Sequence, residues 1–331
     1  MMNRRFILFL LLSSILLTSC SSDDDDLVGN WIKRSDFGGV ARSDASLFVI
    51  GGKVYVFGGY TGKKRLKDIW EYDITGDSWT QKADLPGTER SSAVGFAISD
   101  KGYIGTGYDG ENYLKDFWEF NPTSNLWTQK ADFAGSARYG AVAFTLNNIG
   151  YVGTGYDDNY LMDFYKYNPS SDSWTAGTSI KGSKRAFATT FIYDSKAYVV
   201  CGINNGSYVT DFWMFDPSTE TWSEKAQIAD KTDESFDDDY NIKRMNAVAL
   251  NINDKIYLST GESGSLRSDT WEYNPITDRW YEKTAFEGTS RSGAVGFSYN
   301  NRGYILTGRS STYYFDDMFE FMPEEEYDEY D

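Results

Sequence analysis

Tryptophan recurs at a nearly constant interval along this chain of 331 residues. Successive members of one series are 48, 48, 47, 48 and 58 residues apart, namely Trp31, Trp79, Trp127, Trp174, Trp222 and Trp280. An aromatic residue stands seven positions before each of the last five, at Tyr72, Phe120, Tyr167, Phe215 and Tyr273, and Phe321 extends this second series. A fixed period of this length is typical of one supersecondary unit that stacks on its own copies.

Each repeat has the pattern of antiparallel β-structure. An apolar stretch that ends in glycine, such as VYVFGG at 54–59 or GYVGTG at 150–155, reads as a strand. Turn-forming runs such as NPTSN at 121–125 separate the marker aromatic from its Trp, as a hairpin requires. The repeat is therefore predicted to be a small sheet.

These motifs resemble kelch repeats. The resemblance rests on a glycine doublet or Gly-Thr-Gly, then an aromatic residue, six residues and Trp, and it covers about residues 29–323. Only Gly58-Gly59 keeps the double glycine of the family after a strand. The resemblance implies an all-β, six-bladed β-propeller with four antiparallel strands in each blade.

The two ends of the repeat region indicate how the ring closes. Trp31 precedes Arg42 by the interval that separates Trp79 from Arg90, so the segment around Trp31 reads as an outermost strand. The C-terminal repeat lacks a Trp strand of its own. We therefore expect the segment around Trp31 to complete the last blade, which leaves no open edge.

The N-terminus has the pattern of a secretory signal. Arg4 and Arg5 precede an apolar run over 6–17, and the run ends in Leu-Thr-Ser-Cys, which resembles the lipobox of bacterial lipoproteins. The prediction is a signal peptide over 1–19, lipidation of Cys20 and an acidic tether over 20–28; the alternative is an ordinary signal peptide with a chance cysteine. Residues 22–26 are similar to the surface-export signal of lipoproteins in the Bacteroidota, although they are equally consistent with a solvated spacer. These resemblances place the protein on the bacterial outer membrane, lipid-anchored and exposed at the cell surface.

Composition excludes several classes of function. There are 32 Lys and Arg against 49 Asp and Glu, a net charge of −17, which repels a nucleic-acid backbone. Histidine is absent, which removes Ser-His-Asp catalysis, imidazole metal sites and histidine acid–base chemistry. The two cysteines, Cys20 and Cys201, do not form a disulfide framework, and Cys201 is predicted to be a small buried residue within a strand. The acidic end, residues 324–331, is predicted to be a disordered tail.

Residues that occur once in every repeat are better explained by structure than by a site. All ten tryptophans are predicted to pack between blades. One ring comprises Arg42, Arg90, Arg138, Arg185, Arg244 and Arg291, and a second comprises Asp68, Asp116, Asp163, Asp211, Asp269 and Asp317. We expect these arginines and aspartates to satisfy buried backbone groups and each other.

Residues that vary between repeats mark the expected binding face. With the strands of a blade named a to d from the channel outward, the d-to-a and b-to-c connections emerge on the same face. In kelch adaptor propellers that bind peptides, residues in these two places line the channel mouth, and the resemblance implies a pocket there. The predicted ligand-binding residues are Tyr60, Tyr108, Tyr156, Glu262, Arg309, Tyr139, Ser91 and Ser292. Amphipathic tyrosine rings suit peptide or sugar stacking, although loop tyrosines are also often simply exposed.

The preferred function is a non-catalytic binding module for a protein, peptide or glycan, with no cofactor and no metal. Kelch propellers also include a copper oxidase, which this chain's lack of histidine excludes, and a sialic acid mutarotase. A carbohydrate isomerase of that second kind is the alternative, with Glu262 and Arg309 as its polar groups, and a scaffold in an envelope assembly is the third reading. The acidic insertion at 226–243 has enough carboxylates to hold a hard cation such as calcium, but its spacing does not match an Asp-x-Asp-x-Asp-Gly loop, so a solvated acidic loop is the preferred interpretation.

Overall fold

The computed structural model describes residues 28–229 and 240–328, and the regular structure in these ranges is all β-strand. No helix in this part of the chain is long and apolar enough to cross a membrane. The signal peptide, Cys20 and the tether up to residue 27 lie outside it. The predictions made for those residues therefore stay predictions.

The strands form six four-stranded antiparallel sheets, which confirms the predicted propeller. The first strand of the described chain is β1 (Asn30–Lys33). Blade 1 contains β2 (Ser46–Ile50), β3 (Lys53–Tyr60), β4 (Arg65–Asp73) and β5 (Ser78–Gln81). Blade 2 contains β6 (Val94–Ile98), β7 (Lys101–Gly105), β8 (Phe117–Asn121) and β9 (Leu126–Lys130). Blade 3 contains β10 (Val142–Leu146), β11 (Ile149–Gly153), β12 (Phe164–Asn168) and β13 (Ser173–Ala176).

The remaining blades follow the same plan. Blade 4 contains β14 (Thr189–Tyr193), β15 (Lys196–Val200), β18 (Trp213–Asp216) and β19 (Thr221–Glu224), with a small hairpin of β16 (Ile203–Asn204) and β17 (Ser207–Tyr208) in its b-to-c connection. Blade 5 contains β20 (Val248–Ile252), β21 (Lys255–Ser259), β22 (Thr270–Asn274) and β23 (Arg279–Lys283). Blade 6 contains β24 (Val295–Tyr299), β25 (Arg302–Leu306) and β26 (Met318–Met322).

Strand β1 supplies the fourth strand of blade 6, as the sequence predicts. It pairs antiparallel with β26, with Trp31 opposite Phe321. The Trp31 side chain is 1% exposed; its ring stacks on Phe321 at 4.5 Å and meets the edge of Phe286 at 4.9 Å. The two chain ends thus close the ring through one sheet, which leaves neither terminal blade with an open edge.

The apolar core lies between neighbouring blades. The cluster between blades 1 and 2 joins Phe48 and Tyr55 to Ile104 and Phe120, with the Tyr55 and Phe120 ring centroids 5.8 Å apart. Equivalent clusters fill the other interfaces. Successive side chains of a strand point to opposite faces of its sheet, so each sheet packs against one neighbouring blade on one face and against the other neighbour on the opposite face.

The ring arginines are buried and form hydrogen bonds within their own blades, which confirms the prediction that their role is structural. All six are 0% exposed, and five form guanidinium–carboxylate hydrogen bonds of 2.5 to 3.0 Å to the aspartate of the same blade. Arg185 contacts Asp211 in the same way. Each arginine also donates to a backbone carbonyl near the end of the b strand: Arg42 to Gly58 within β3, and the other five to the first residue after the strand, as Arg90 does to Thr106 at 3.1 Å. None of the six guanidiniums faces the solvent, so the arginine ring is unsuited to ligand binding.

Two smaller predictions concern Cys201 and the tail. Cys201 is 0% exposed as expected, but it lies one residue beyond β15 with a φ of 66° rather than within a strand. Residues 324–328 of the tail lie beside β1, because the Asp328 N–H donates to Asn30 Oδ1 at 3.1 Å and the Gly29 N–H to the Glu325 carbonyl at 2.9 Å. Residues 329–331 lie outside the described chain.

Candidate functional site

The two variable series meet in every blade. The residue after each ring arginine forms an antiparallel backbone bridge with the first residue of the b-to-c connection. The bridged pairs are Ser43 with Tyr60, Ser91 with Tyr108, Tyr139 with Tyr156, Ala186 with Ile203, Met245 with Glu262, and Ser292 with Arg309. The sequence therefore places both series correctly on one face.

A closed circle of backbone hydrogen bonds lies next to these bridges. In each blade, the second residue after the ring arginine has a left-handed backbone, with φ between 52° and 67°, and donates its N–H to the equivalent carbonyl of the adjacent blade at 2.8 to 3.4 Å. We call this set the mouth ring, and it consists of Asp44, Ser92, Gly140, Phe187, Asn246 and Gly293. A Cβ on Gly293 would lie 2.7 Å from Asp44 Oδ1, so glycine makes room there for the carboxylate. The circle fixes where all six blades present their side chains.

The channel beneath the mouth ring contributes little chemistry. One alanine from each blade lines it, namely Ala45, Ala93, Ala141, Ala188, Ala247 and Ala294. The lower cavity, about 260 Å³, has only small, apolar and hydroxyl side chains in its described lining. Titratable groups are concentrated at the mouth instead.

Two adjoining cavities open at the mouth. The small cavity, about 220 Å³, is lined by Asp44, Tyr60, Arg65, Ser91, Ser92, Tyr108, Tyr139, Phe187, Met245, Asn246, Glu262 and Arg309. The large cavity, about 430 Å³, is lined by Tyr208, Glu262, Gly264, Ser265, Leu266, Arg309 and Ser311. Glu262 and Arg309 line both, so their side chains stand where the two cavities meet.

The small cavity brings together six of the eight predicted residues. Tyr156 does not line it, although its ring lies 5.8 Å from that of Tyr139. Ser292 is fully buried and lines neither cavity. Its neighbour Gly293 has no side chain to offer, so blade 6 contributes Arg309 instead.

Tyrosine rings form a continuous aromatic arc over blades 6, 1, 2 and 3. Of the four predicted tyrosines, Tyr139 has ring contacts with both Tyr108 and Tyr156. Tyr60 and Tyr108 are separated by the guanidinium of Arg65. Neighbouring rings of the arc are 5.0 to 6.2 Å apart, except that an arginine lies between Tyr60 and Tyr108. The members of the arc are Tyr314, Tyr60, Tyr108, Tyr113, Tyr139, Tyr156 and Tyr160.

Arg65 is the link that the sequence did not indicate. Its guanidinium carbon lies 4.9 Å from the ring centre of Tyr60 and 4.5 Å from that of Tyr108, within cation–π range of both. Its Nε donates to Ser91 Oγ at 3.2 Å. The terminal nitrogens make no hydrogen bond to described residues, which leaves them available at the edge of the small cavity.

Charges at the mouth are balanced but loosely paired. The Glu262 carboxylate and the Arg309 guanidinium are 3.8 Å apart, beyond ordinary hydrogen-bond distance. Burial raises the pKa of Glu262; Arg309 opposes this shift and Asp44 adds to it. Burial also raises the pKa of Asp44, against a hydrogen bond from Ser43 and the charges of Arg309 and Arg65. The two carboxylates and two guanidiniums therefore form one coupled group.

Some residues that line the cavities were not predicted from the sequence, and only some of these could have been. The mouth ring is the next position along the repeat, so comparing that column across the blades would have singled out Asp44, Phe187 and Asn246. Arg65 is the first residue of β4, and Tyr208 ends the small hairpin in the b-to-c connection of blade 4, so the two do not share one position of the repeat. Only the fold shows that these side chains reach the mouth.

The acidic insertion lies partly within the described chain. Residues 230–239 of the predicted 226–243 segment lie outside the described chain. On either side of them, Ala229 and Asn241 form a backbone bridge, and the Tyr240 ring packs 6.0 Å from that of Trp271. Among the residues that are described, no group of three or more acidic or thiol side chains is arranged to hold a metal ion.

These features define a kelch-type β-propeller whose distinctive residues surround one end of its channel. The KLHDC2/KLHL20/DRC7 kelch-repeats domain profile matches residues 30–133 and 132–294, so the chain belongs to that family. No curated protein sequence matches it.

Solved structures share the architecture. The structure of YjhT has a TM-score of 0.72 and 16% sequence identity to this chain, over 86% of this chain and 96% of that one. A likeness at this identity is one of fold, and 876 solved chains match by structure. A fold this widely shared does not select a function, which has to be argued from the mouth residues.

Proposed function

We propose that this propeller is a non-catalytic binding module that holds its ligand at the two mouth cavities. A kelch propeller is in general suited to binding or scaffolding. The more specific proposal rests on a contrast between two kinds of arginine in one molecule. The ring arginines are fully buried and bonded within their blades, whereas Arg65 and Arg309 are half-buried and keep donors that described residues do not use.

Half-buried polar groups of this kind favour a ligand. A guanidinium or carboxylate at a concave surface has lost part of its water and gains from a partner that replaces it. Glu262 accepts no side-chain hydrogen bond from a described residue, and its nearest cation is 3.8 Å away. The tyrosines beside it offer apolar faces with polar tips. Together these groups suit a protein loop, a peptide or a glycan.

We also propose that lipid at Cys20 holds the module on the outer membrane, exposed at the cell surface. This proposal rests on the lipobox-like Leu-Thr-Ser-Cys and the acidic run after it. Cys20→Ser should abolish incorporation of labelled palmitate and release the protein into the soluble fraction. Unchanged membrane retention would contradict the anchor, and protection from protease added to whole cells would contradict surface exposure.

The binding proposal is tested by retention of envelope components. The protein is immobilised as bait against detergent-solubilised envelope proteins and a glycan panel, beside a Tyr108→Ala/Tyr139→Ala variant. Tyr281→Ala is the matched control, because Tyr281 is exposed on β23 at the outer edge of blade 5. A ligand retained by the native and control proteins but lost from the double variant supports the mouth. Equal retention by all three would place the site elsewhere.

A carbohydrate isomerase of the mutarotase kind is the second candidate. The observation in its favour is the raised pKa of Glu262, because a carboxyl that holds its proton more tightly is a better acid–base group near neutral pH. Saturation-transfer NMR of anomer exchange, with Glu262→Gln as the inactive comparison, separates it from simple binding. Exchange that is absent from both proteins excludes it.

A further inference from the structure

We infer that the ligand of the mouth is a neutral oligosaccharide of at least two sugar rings, which lies across both cavities with Glu262 and Arg309 at its centre. The inference rests on the proposed binding function and gives it a chemical class. Five features of the site support it, namely its size, its charge, its open hydrogen-bonding groups, its aromatic side and the state of its backbone.

The size of the site favours a ligand that extends beyond one cavity. Small-molecule pockets usually measure about 300–1,000 Å³. The small cavity, about 220 Å³, falls below that range and contains most of the aromatic wall, whereas the large cavity, about 430 Å³, has Tyr208 as its one described aromatic residue. A ligand that uses both the aromatic wall and the larger volume must pass the Glu262–Arg309 pair.

The charges of the site favour a ligand without net charge. Two carboxylates, Asp44 and Glu262, are matched by two guanidiniums, Arg65 and Arg309. The remaining titratable groups of the two linings are tyrosines. An anionic or cationic ligand would leave one half-buried charge without a partner, which is costly. A polyol brings hydrogen-bonding groups and keeps this balance.

The gap between Glu262 and Arg309 suits a hydroxyl group. At 3.8 Å the pair is too far apart for a direct hydrogen bond, so the carboxylate still needs a donor and the guanidinium an acceptor. A hydroxyl provides both from one oxygen, whereas a peptide amide provides them from separate atoms. Vicinal sugar hydroxyls repeat this dual character along a ring, and Asp44 and Arg65 are further partners for them.

The aromatic side of the small cavity suits the C–H faces of sugar rings. Tyr108, Tyr139 and Phe187 line it, and their rings are in contact, with Tyr139 lying 5.4 Å from Tyr108 and 5.5 Å from Phe187. Such rings combine apolar stacking with polar tips at the phenols. All three are half-buried, so each keeps surface for a ligand.

The backbone of the site does not suit a peptide strand. Strand addition needs unpaired main-chain groups at the binding edge. Every N–H of the mouth ring already donates to the next blade, at 2.8 to 3.4 Å. The bridges between the two variable series use further backbone groups next to it. Recognition at the mouth therefore falls to side chains, which disfavours an extended peptide.

The test is isothermal titration of the full chain in a sugar-free detergent. The probes are neutral tetraoses of glucose, mannose, galactose and xylose, their monosaccharides, the uronate tetramers of glucose, mannose and galactose, tetraglucosamine, and acidic, basic and neutral tetrapeptides. We expect at least one neutral tetraose to bind at least about tenfold more tightly than its uronate and its monosaccharide. This factor corresponds to one hydrogen bond to a charged group that the tetraose makes and the weaker ligand lacks. Glu262→Gln should weaken that binding by a similar factor, whereas Glu282→Gln on the exposed face of β23 should leave it unchanged.

A charge variant gives an independent readout. Arg309→Met leaves a carboxylate unmatched, so the preference should shift from the neutral tetraose towards cationic tetraglucosamine. Circular dichroism of each variant shows whether it is folded, and both substitutions lie on half-buried loop positions rather than in the core.

Each other outcome overturns the inference in a way that differs from failure of the proposed function. Tighter binding of a uronate overturns neutrality, and equal binding of a monosaccharide overturns the two-ring length. A tetrapeptide that binds and is lost in Glu262→Gln overturns the sugar class but leaves the binding function intact. If no probe binds, the inference fails, and the bait experiment decides the binding function separately.

Discussion

Closure of the propeller by β1 gives a sharp prediction about Trp31. The substitution Trp31→Ala removes a ring that is 1% exposed, stacked on Phe321 and edge-on to Phe286. Truncation of a buried aromatic to alanine costs about 3–5 kcal/mol in unfolding free energy. We expect the upper part of that range, because β1 is joined to β26 by non-covalent contacts, and its detachment exposes a sheet edge.

The matched control is Trp127→Ala in blade 2. Trp127 occupies the same place in its repeat, and its ring lies 4.9 Å from that of Phe120, but the side chain is only half-buried. Its strand β9 is connected to β8 by a short turn, so it stays in place when the ring is removed. The expected cost lies near the lower end of the same range.

Urea denaturation and amide hydrogen exchange measure the two parts of this prediction. Denaturation gives the loss of unfolding free energy for each variant. Exchange should show loss of protection along β26 in Trp31→Ala and retained protection along β8 in Trp127→Ala. Equal losses of stability, with β26 still protected in the first variant, would refute the reasoning about closure.

Three further predictions concern buried groups. Arg138→Ala should cost about 1–3 kcal/mol, because it leaves the buried Thr154 carbonyl without its donor and the part-exposed Asp163 carboxylate without its partner. Arg309→Ala should change stability by about 0.5 kcal/mol or less. Equal losses in urea would contradict the distinction between the ring and the mouth. Cys201 is fully buried and its pKa is raised to about 11, so in a Cys20→Ser background a thiol reagent at about pH 8 should react only after unfolding, and rapid reaction of the folded protein would contradict this. Burial raises the pKa of Tyr198 to about 12, so the folded state holds the phenol proton more tightly than the unfolded chain, and the free energy of unfolding should fall as the pH rises from about 10 towards 12. Denaturation curves at alkaline pH check this sign, which a rise in stability would reverse.

The candidate site could be predicted only in part from the positions of residues within the repeat. These positions identified the variable series that contains Ser91 and Tyr139 and the series that contains Tyr60 and Glu262, and the backbone bridges bring these series together. The prediction missed Asp44 and Arg65, and it included Ser292, which is buried. A position in the repeat fixes where a residue lies along its own blade, but the direction of a side chain at the mouth depends on the neighbouring blade.

The sequence by itself determined the repeat unit, the number of blades, the closure by the segment around Trp31 and the internal role of the ring arginines. These features are local to a blade or recur in all six, so spacing is enough to reveal them. The tertiary structure decided which side chains share a cavity. The six blades meet in the mouth ring, and the space for each side chain of that ring depends on the residue that the adjacent blade presents. Asp44, for example, has room for its carboxylate because the adjacent residue of the ring is Gly293. Such packing depends on contacts between residues far apart in the chain, which no single period encodes.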